Sequence, residues 1–203
     1  MIYFGDVDVV MKLAACGFLP LLPELLGIPP KEFQLRYLPS LRARLTRTNK
    51  KLSNLSYQKH LVDFCAAHAE IDGAADTVRQ DELMEGGMDI GEAILFAEAE
   101  ATRGIVVTGD KRALLAYAQV SSSQQRAKLK VICWEQLLLR VKKSRGFEEL
   151  RAGCCAALGS DGLLSLAFSS GLATEEDHAI AAIESYLGAV RKHSAEILVP
   201  LEL

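Results

Sequence analysis

"IYFGDVDVVMKLAACG", residues 2 to 17, joins a short apolar run to two aspartates and then to a helical pattern. The apolar part predicts a buried strand that ends at Gly5 and Asp6. A helix is expected to begin near Asp8, its predicted N-cap, because apolar residues then recur at helical spacing as far as Gly17. A strand followed at once by a helix is the first part of a parallel α/β unit.

A second unit of this kind is "MDIGEAILFAEAEATRGIVVTGDKRAL", residues 88 to 114. Asp89 and Glu92 have the spacing of a capping box, which predicts a helix from there to Gly104. The β-branched run that follows predicts a buried parallel strand that ends near Asp110. The next segment, "KRALLAYAQV", predicts a further helix.

The remaining segments continue this alternation. "FQLRYLP" (33–39) and "LKVICW" (129–134) predict strands, and "LPLLPELLGIPP" (19–30) and "EQLLLRV" (135–141) predict helices. The segment from 40 to 73 is expected to be helical in parts, with a polar break around Thr46 to Ser53, and "SSSQQRAK" (121–128) is expected to be a loop. We therefore predict a three-layer α/β/α domain with a central parallel sheet over residues 1–143. A helical extension should follow over residues 144–203, with Thr174 capping its last helix.

Length and composition limit the class of protein. The chain has 203 residues, half of them apolar, which suffices for one globular domain or for a domain with an added subdomain. Its five cysteines form no C-x-x-C pair, so we expect reduced thiols in a cytoplasmic protein. Acids near the start and prolines within "CGFLPLLPELLGI" (16–28) argue against a signal peptide and a membrane span.

Charge is segregated along the chain. Phe33 to Val62 contains seven bases and no acid, whereas Glu70 to Glu100 contains ten acids and one base. The basic stretch is a candidate phosphate-binding surface, and Tyr37 and Tyr57 are candidates for stacking on bases. Solvated helix faces also produce such runs, and that alternative stays open.

Two predicted strands end in an aspartate. In an open parallel sheet, sites form outside the carboxyl ends of the strands, so Asp6 and Asp110 are expected at one edge. Glu92, in the first turn of a helix, can join them if that helix begins near the same edge. Converging carboxylates raise one another's pKa, and a divalent cation relieves this repulsion. Oxygen-only ligands favour Mg²⁺ or Mn²⁺.

The segments "DVDVVMKLA", "MDIGEAILFAEAEA" and "VVTGDKRAL" together resemble the PIN-domain ribonucleases. That family has an aspartate at the end of the first strand, an acid that opens a later helix, and an aspartate in a T-x-D turn. "LKVICWEQLLL" is similar to its last strand and helix, so the resemblance covers about residues 2 to 140. By position it implies metal ligation by Asp6, Glu92 and Asp110. Asp8 falls where the family often has asparagine, and is a fourth candidate ligand.

The sequence departs from the family's pattern at one place. Where the family has a glutamate in the helix after the second strand, the stretch "LPSLRARL" has Arg44. Either Glu70 or Asp72 supplies the missing acid, or the metal site is degraded. Arg42, Arg44 and Lys111 are the candidate substrate-binding residues.

The resemblance implies a metal-dependent ribonuclease that hydrolyses RNA phosphodiester bonds. It further implies a toxin-like role with a small antitoxin-like protein partner, and a homo-oligomer. The alternative is a PIN-like domain that has lost catalysis and binds protein or RNA. A third reading is a phosphatase with "DVDVV" as an aspartyl nucleophile motif, although no later paired-acid motif follows. The same acids also have purely structural readings as helix caps and turn residues.

Overall fold

A computed structural model describes residues 1–45, 55–73 and 76–200. The predicted polar break at Thr46 to Ser53, with several of the bases of the basic stretch, lies outside the described residues. Twelve α-helices and five strands are found within the described ranges. The strands are β1 (Ile2–Gly5), β2 (Gln34–Tyr37), β3 (Ala69–Glu70), β4 (Ile105–Thr108) and β5 (Lys130–Cys133). The helices are α1 (Val7–Ala15), α2 (Leu22–Leu25), α3 (Ser40–Leu45), α4 (Leu55–Ala67), α5 (Thr77–Glu85), α6 (Ile90–Thr102), α7 (Lys111–Val120), α8 (Ser123–Lys128), α9 (Trp134–Arg145), α10 (Phe147–Ala156), α11 (Gly162–Ala167) and α12 (Glu176–Ser194).

The five strands form one parallel sheet in the order β3-β2-β1-β4-β5. This arrangement confirms the predicted α/β class and parallel sheet. β1 lies at the centre and pairs with β2 on one side and β4 on the other, with Tyr3 opposite Leu35 and Ile105. All four residues of β4 are buried, as expected for a strand covered by helices on both faces.

Several sequence predictions about local structure are wrong. Asp6, and not Asp8, is the N-cap of α1, because the strand ends one residue earlier and the helix begins at once. The expected loop at 121–128 contains α8, whose cap Ser122 forms a capping box with Gln125. Glu175 precedes α12 as its N-cap, and the hydroxyl of Thr174 is buried without a hydrogen-bond partner. Tyr37 is fully buried, so it has no face free for a base.

The extension packs into the same hydrophobic core as the sheet. The expected boundary at residue 143 falls inside α9, and α12 packs against α7, α9 and α11. Ile183 and Leu187 of α12 are buried in the core cluster. Val131 of β5 accepts a hydrogen bond from Val199 and donates one to Ile197, so the end of the described chain lies along this strand.

A buried polar cluster joins α5, α6 and α7. The guanidinium of Arg79 is bonded to Glu100 (3.0 Å), to Glu82 (2.8 Å) and to the hydroxyl of Ser121. Tyr117 donates a hydrogen bond to Glu100 (3.3 Å), and its ring lies under the Arg79 guanidinium at 5.6 Å. Burial raises the pKa of Tyr117 to about 12. Every charge in the cluster therefore has a partner, as buried charges require.

Two further properties bear on the class of protein. Within residues 1–45, 55–73 and 76–200, none of the helices combines the length and the apolar character needed to cross a bilayer. The five thiols are free, and four of them are buried.

Candidate active site

Asp6 lies where β1 passes into α1, at the carboxyl edge of the sheet. Its backbone N–H continues the β1–β4 pairing by donating to the carbonyl of Val107 (2.9 Å), and its side chain accepts from the N–H of Asp8 (3.3 Å). Burial raises the pKa of Asp6 to about 6, and the nearby charges of Asp8 and Lys12 act in opposite directions on it. Asp6 therefore combines a helix cap with a partly desolvated carboxyl group.

Asp110 lies at the equivalent junction between β4 and α7, as the sequence predicted. One carboxylate oxygen accepts hydrogen bonds from the N–H groups of Arg112 (2.7 Å) and Ala113 (3.2 Å), so Asp110 is the N-cap of α7. The other oxygen contacts the exposed guanidinium of Arg112 at 3.1 Å. Burial opposes ionisation, but these hydrogen bonds and a contact with Glu92 lower the pKa of Asp110.

Thr108, which the sequence analysis did not single out, connects the two aspartates. Its buried hydroxyl donates to a carboxylate oxygen of Asp6 (3.3 Å) and accepts from the backbone N–H of Asp110 (3.0 Å). The "TGD" turn was the signal for this residue, because a threonine in such a turn can bond to the N–H two residues on. The link holds Asp6 and Asp110 at one edge across two neighbouring strands.

Glu92 reaches the same place from the first turn of α6. The predicted capping box is present: Asp89 accepts from the N–H of Glu92 (2.8 Å), and Glu92 accepts from the N–H of Asp89 (3.3 Å). Burial, a hydrogen bond with the Asp110 carboxyl group and the negative charge of Asp110 together raise the pKa of Glu92 to about 8. At neutral pH the Glu92 carboxyl group therefore favours its protonated form.

A cavity of about 270 Å³ opens at this edge. It is lined by the two capping aspartates, Asp8, the turn at Gly109 and three cations, which are Lys12, Lys111 and Arg112. The structure thus brings Asp6 and Asp110 together in one cavity, and Glu92 contacts Asp110 beside it.

The cations of the cavity differ in how they are held. Lys12 is mostly buried, and its Nζ lies 2.7 Å from Asp161 of the extension. Lys111 lies 3.2 Å from the buried carboxylate of Glu135, and its Nζ lies 3.9 Å from the centre of the Tyr186 ring. Lys111 is one of the residues predicted from the sequence, whereas Lys12 is not, because its position is that of an ordinary polar residue in an amphipathic helix.

The two arginines named as substrate-binding candidates have acidic partners. Arg44 donates to Asp8 at 2.9 Å, and Arg42 pairs with Glu70 at 3.1 Å. Of the two acids considered as replacements for the missing glutamate, neither Glu70 nor Asp72 is among the described residues that line the cavity. Arg44 pairs with Asp8, and an exposed ion pair of this kind contributes little to stability.

The chemistry of the donors fits a hard divalent cation. Asp6, Asp110 and Glu92 offer only carboxylate oxygens, and the protonated contact between Glu92 and Asp110 is the place where an ion can replace a proton. In the described part of the chain, no group of three or more His, Cys, Asp or Glu side chains is already placed to hold a metal ion. An ion here would therefore require Glu92 to lose its proton and the side chains to adjust.

Comparisons with protein-family models, with curated proteins and with solved structures found no match for this chain. The fold and the site define an α/β protein with a parallel sheet and a cavity of mixed charge at the carboxyl ends of its two central strands.

Proposed function

We propose that the protein is a metal-dependent ribonuclease of the PIN-like kind, with Asp6, Glu92 and Asp110 as its metal ligands. The observation that carries the proposal is the cavity at the carboxyl ends of β1 and β4, which Asp6 and Asp110 line together and beside which the Glu92 carboxyl group interacts with that of Asp110. Acids that repel one another in a cleft of an α/β sheet are a common mark of a functional site.

In this proposal each residue has a separate task. Asp6 and Asp110 are held at one edge of the sheet by their helix caps and by Thr108, and their side chains would adjust from there to act as ligands. Glu92 gives up its proton when the site is loaded. A bound Mg²⁺ or Mn²⁺ would neutralise charge on the phosphodiester and lower the pKa of the attacking water.

The test compares Mn²⁺ binding and RNA cleavage by the wild type and by Asp6→Asn. Asparagine is also a good N-cap, so this change should leave α1 intact while it removes a charged ligand. We expect Mn²⁺ affinity to fall by more than about 10-fold and cleavage to be lost. Asp76→Asn, which alters the cap of α5 away from the cavity, is the matched control.

The outcomes separate the possible functions. Equal cleavage by the wild type and Asp6→Asn would remove Asp6 from the mechanism. If neither cleaves RNA and the wild type shows no carboxylate-dependent affinity for Mn²⁺, the enzyme proposal is wrong.

A second candidate function is a PIN-like module that has lost catalysis and binds protein or RNA. The ion pair between Arg44 and Asp8 favours it, because a cation stands where the resembling family has an acid. For such a module, Arg44→Glu would create Mn²⁺ affinity that the wild type lacks. Arg42→Glu, which alters the neighbouring pair with Glu70, is the control and should create none.

A further inference from the structure

The lysine most deeply held at the cavity is Lys12 of α1. Its side chain is only 15% exposed, and its partner Asp161 is 12% exposed. Buried lysines are rare unless they are paired, and here Asp161 is the partner of Lys12. Asp161 comes from the extension, far along the chain from Lys12.

Asp161 is itself fixed in place. One of its carboxylate oxygens caps α11 by accepting from the N–H groups of Leu163 (2.9 Å) and Leu164 (3.2 Å). The other oxygen is left for the ammonium of Lys12, at 2.7 Å. The cap of α11 therefore fixes the Asp161 carboxylate, which in turn binds the ammonium of Lys12.

The ammonium of Lys12 is directed to the carboxylate cavity. Its Nζ lies 3.3 Å from the point where a side chain at Gly109 would begin, and 6.0 Å from the centre of the Trp134 ring. Lys12 also lines the cavity together with Asp6 and Asp110. An ammonium has three N–H donors, so the bond to Asp161 leaves others available for a ligand.

We infer that Lys12 binds a phosphate group of single-stranded RNA in this cavity and that Asp161 of the extension positions it. This inference rests on the proposed function for the nature of the substrate. The residue that binds phosphate would then come from the sheet domain, while the residue that orients it comes from the extension. The extension is in this sense a part of the site.

The competing explanation is a structural ion pair that only fastens the extension to α1. The direction in which RNA binding changes when the charge of Asp161 is removed distinguishes the two explanations. Removing the negative charge of Asp161 should strengthen RNA binding if that charge merely repels phosphate. If Asp161 positions Lys12, binding should weaken, because the freed ammonium moves toward the carboxylates of Asp6 and Asp110.

The experiment measures binding of a short fluorescein-labelled oligoadenylate by anisotropy, in Ca²⁺ and over a range of salt concentrations. Lys12→Met should weaken binding about 10-fold, the effect of one charge-assisted hydrogen bond. It should also reduce the slope of log K against log salt by about 0.7, the value for one contact with a single strand. Lys142→Met alters a salt-bridged lysine outside the cavity, pairing with Glu176, and should bind as the wild type does.

Asp161→Asn tests the positioning role, and asparagine preserves the cap of α11. It should weaken binding about 3-fold to 10-fold in the wild type and have no effect in the Lys12→Met background, because its action passes through Lys12. An effect that acts through the cap of α11, independently of Lys12, would persist in both backgrounds. Lys12→Gln, whose amide can still donate to Asp161, is the second variant if Lys12→Met does not fold, and it should show the same loss of salt slope.

Four results would overturn the inference: no RNA binding by the wild type, equal binding by Lys12→Met and Lys142→Met, unchanged or stronger binding by Asp161→Asn, or an equal effect of Asp161→Asn in both backgrounds. The proposed function fails separately, through absent Mn²⁺ binding in the comparison of the wild type with Asp6→Asn. If Mn²⁺ binding is absent while the Lys12 and Asp161 effects appear, the cavity is a phosphate-binding site of a module without catalysis.

Discussion

Glu92 connects the candidate site to the stability of the fold. Its pKa of about 8 lies well above the ordinary glutamate value of 4.5. Between these two pH values the folded chain therefore holds a proton that the unfolded chain releases. A raised pKa stabilises the fold at acidic pH, and this contribution is lost as the pH rises through about 8. Asp110 has a lowered pKa, and its own contribution changes only below its ordinary value of 3.8.

Glu92→Gln should therefore flatten the dependence of stability on pH between about 5 and 8. The amide can still donate to Asp110, so the contact is kept while the titration is removed. Urea unfolding in a series of buffers measures this slope. Glu184→Gln, at an exposed site on α12, is the control and should keep the slope of the wild type. If stability changes with pH in Glu92→Gln as steeply as in the wild type, the prediction is wrong.

The residues of the site differ in how visible they are in the sequence. Asp6, Glu92 and Asp110 were found because each directly follows a strand or opens a helix in a recognisable local pattern. Lys12 and Asp161 were not, because their pairing depends on how the extension folds back onto α1. Periodicity and motif spacing in a sequence do not predict a contact between residues so far apart in the chain.

Among the elements, α5 is attached to its neighbours in part through a buried arginine. Arg79 is 6% exposed and joins α5 to α6 through Glu100 and to Ser121 at the end of α7. Arg79→Met should destabilise the protein by about 3 kcal/mol, because Glu100 would remain buried without its cation. The midpoint of urea unfolding measures this loss.

Two comparisons test that explanation. The double variant Arg79→Met/Glu100→Met should recover much of the loss, since no buried charge is left unpaired. Lys59→Met, which removes an exposed pair with Asp63, should change stability by less than about 0.5 kcal/mol. A double variant that is less stable than Arg79→Met would show that lost packing, and not an unpaired charge, is responsible.

The elements that the sequence predicted well are long or strongly patterned. β4 is a continuous β-branched run, and α6 has both a capping box and an apolar face. β3 was missed because it has only two residues, both exposed, at the edge of the sheet. The sequence predicts a loop where α8 lies because α8 contributes no buried residue, although Ser122 and Gln125 have capping-box spacing. Its formation depends on local hydrogen bonds, which hydrophobic periodicity does not register.

For the whole molecule, the shared core predicts that the sheet and the extension unfold together. Leu187 of α12 is 1% exposed, and its replacement by alanine should cost about 3 kcal/mol. The fluorescence of Trp134, which is buried in α9, should shift to the same lower midpoint as the helical circular dichroism signal. Leu172→Ala, at an exposed position of the extension, should shift neither. Two separate transitions would show that the extension is an independent unit.

The central place of β1 also affects how the chain can fold during translation. Of the five described strands, β1 leaves the ribosome before the others, yet one of its two neighbours is β4, and the hydrogen bond from Thr108 to Asp6 spans 102 residues. At roughly 5 to 20 residues per second, synthesis of that interval takes on the order of 5 to 20 seconds. During this time the edge of β1 that later pairs with β4 has no β4 partner. The cavity between Asp6 and Asp110 can therefore form only after β4 has been made and has paired with β1.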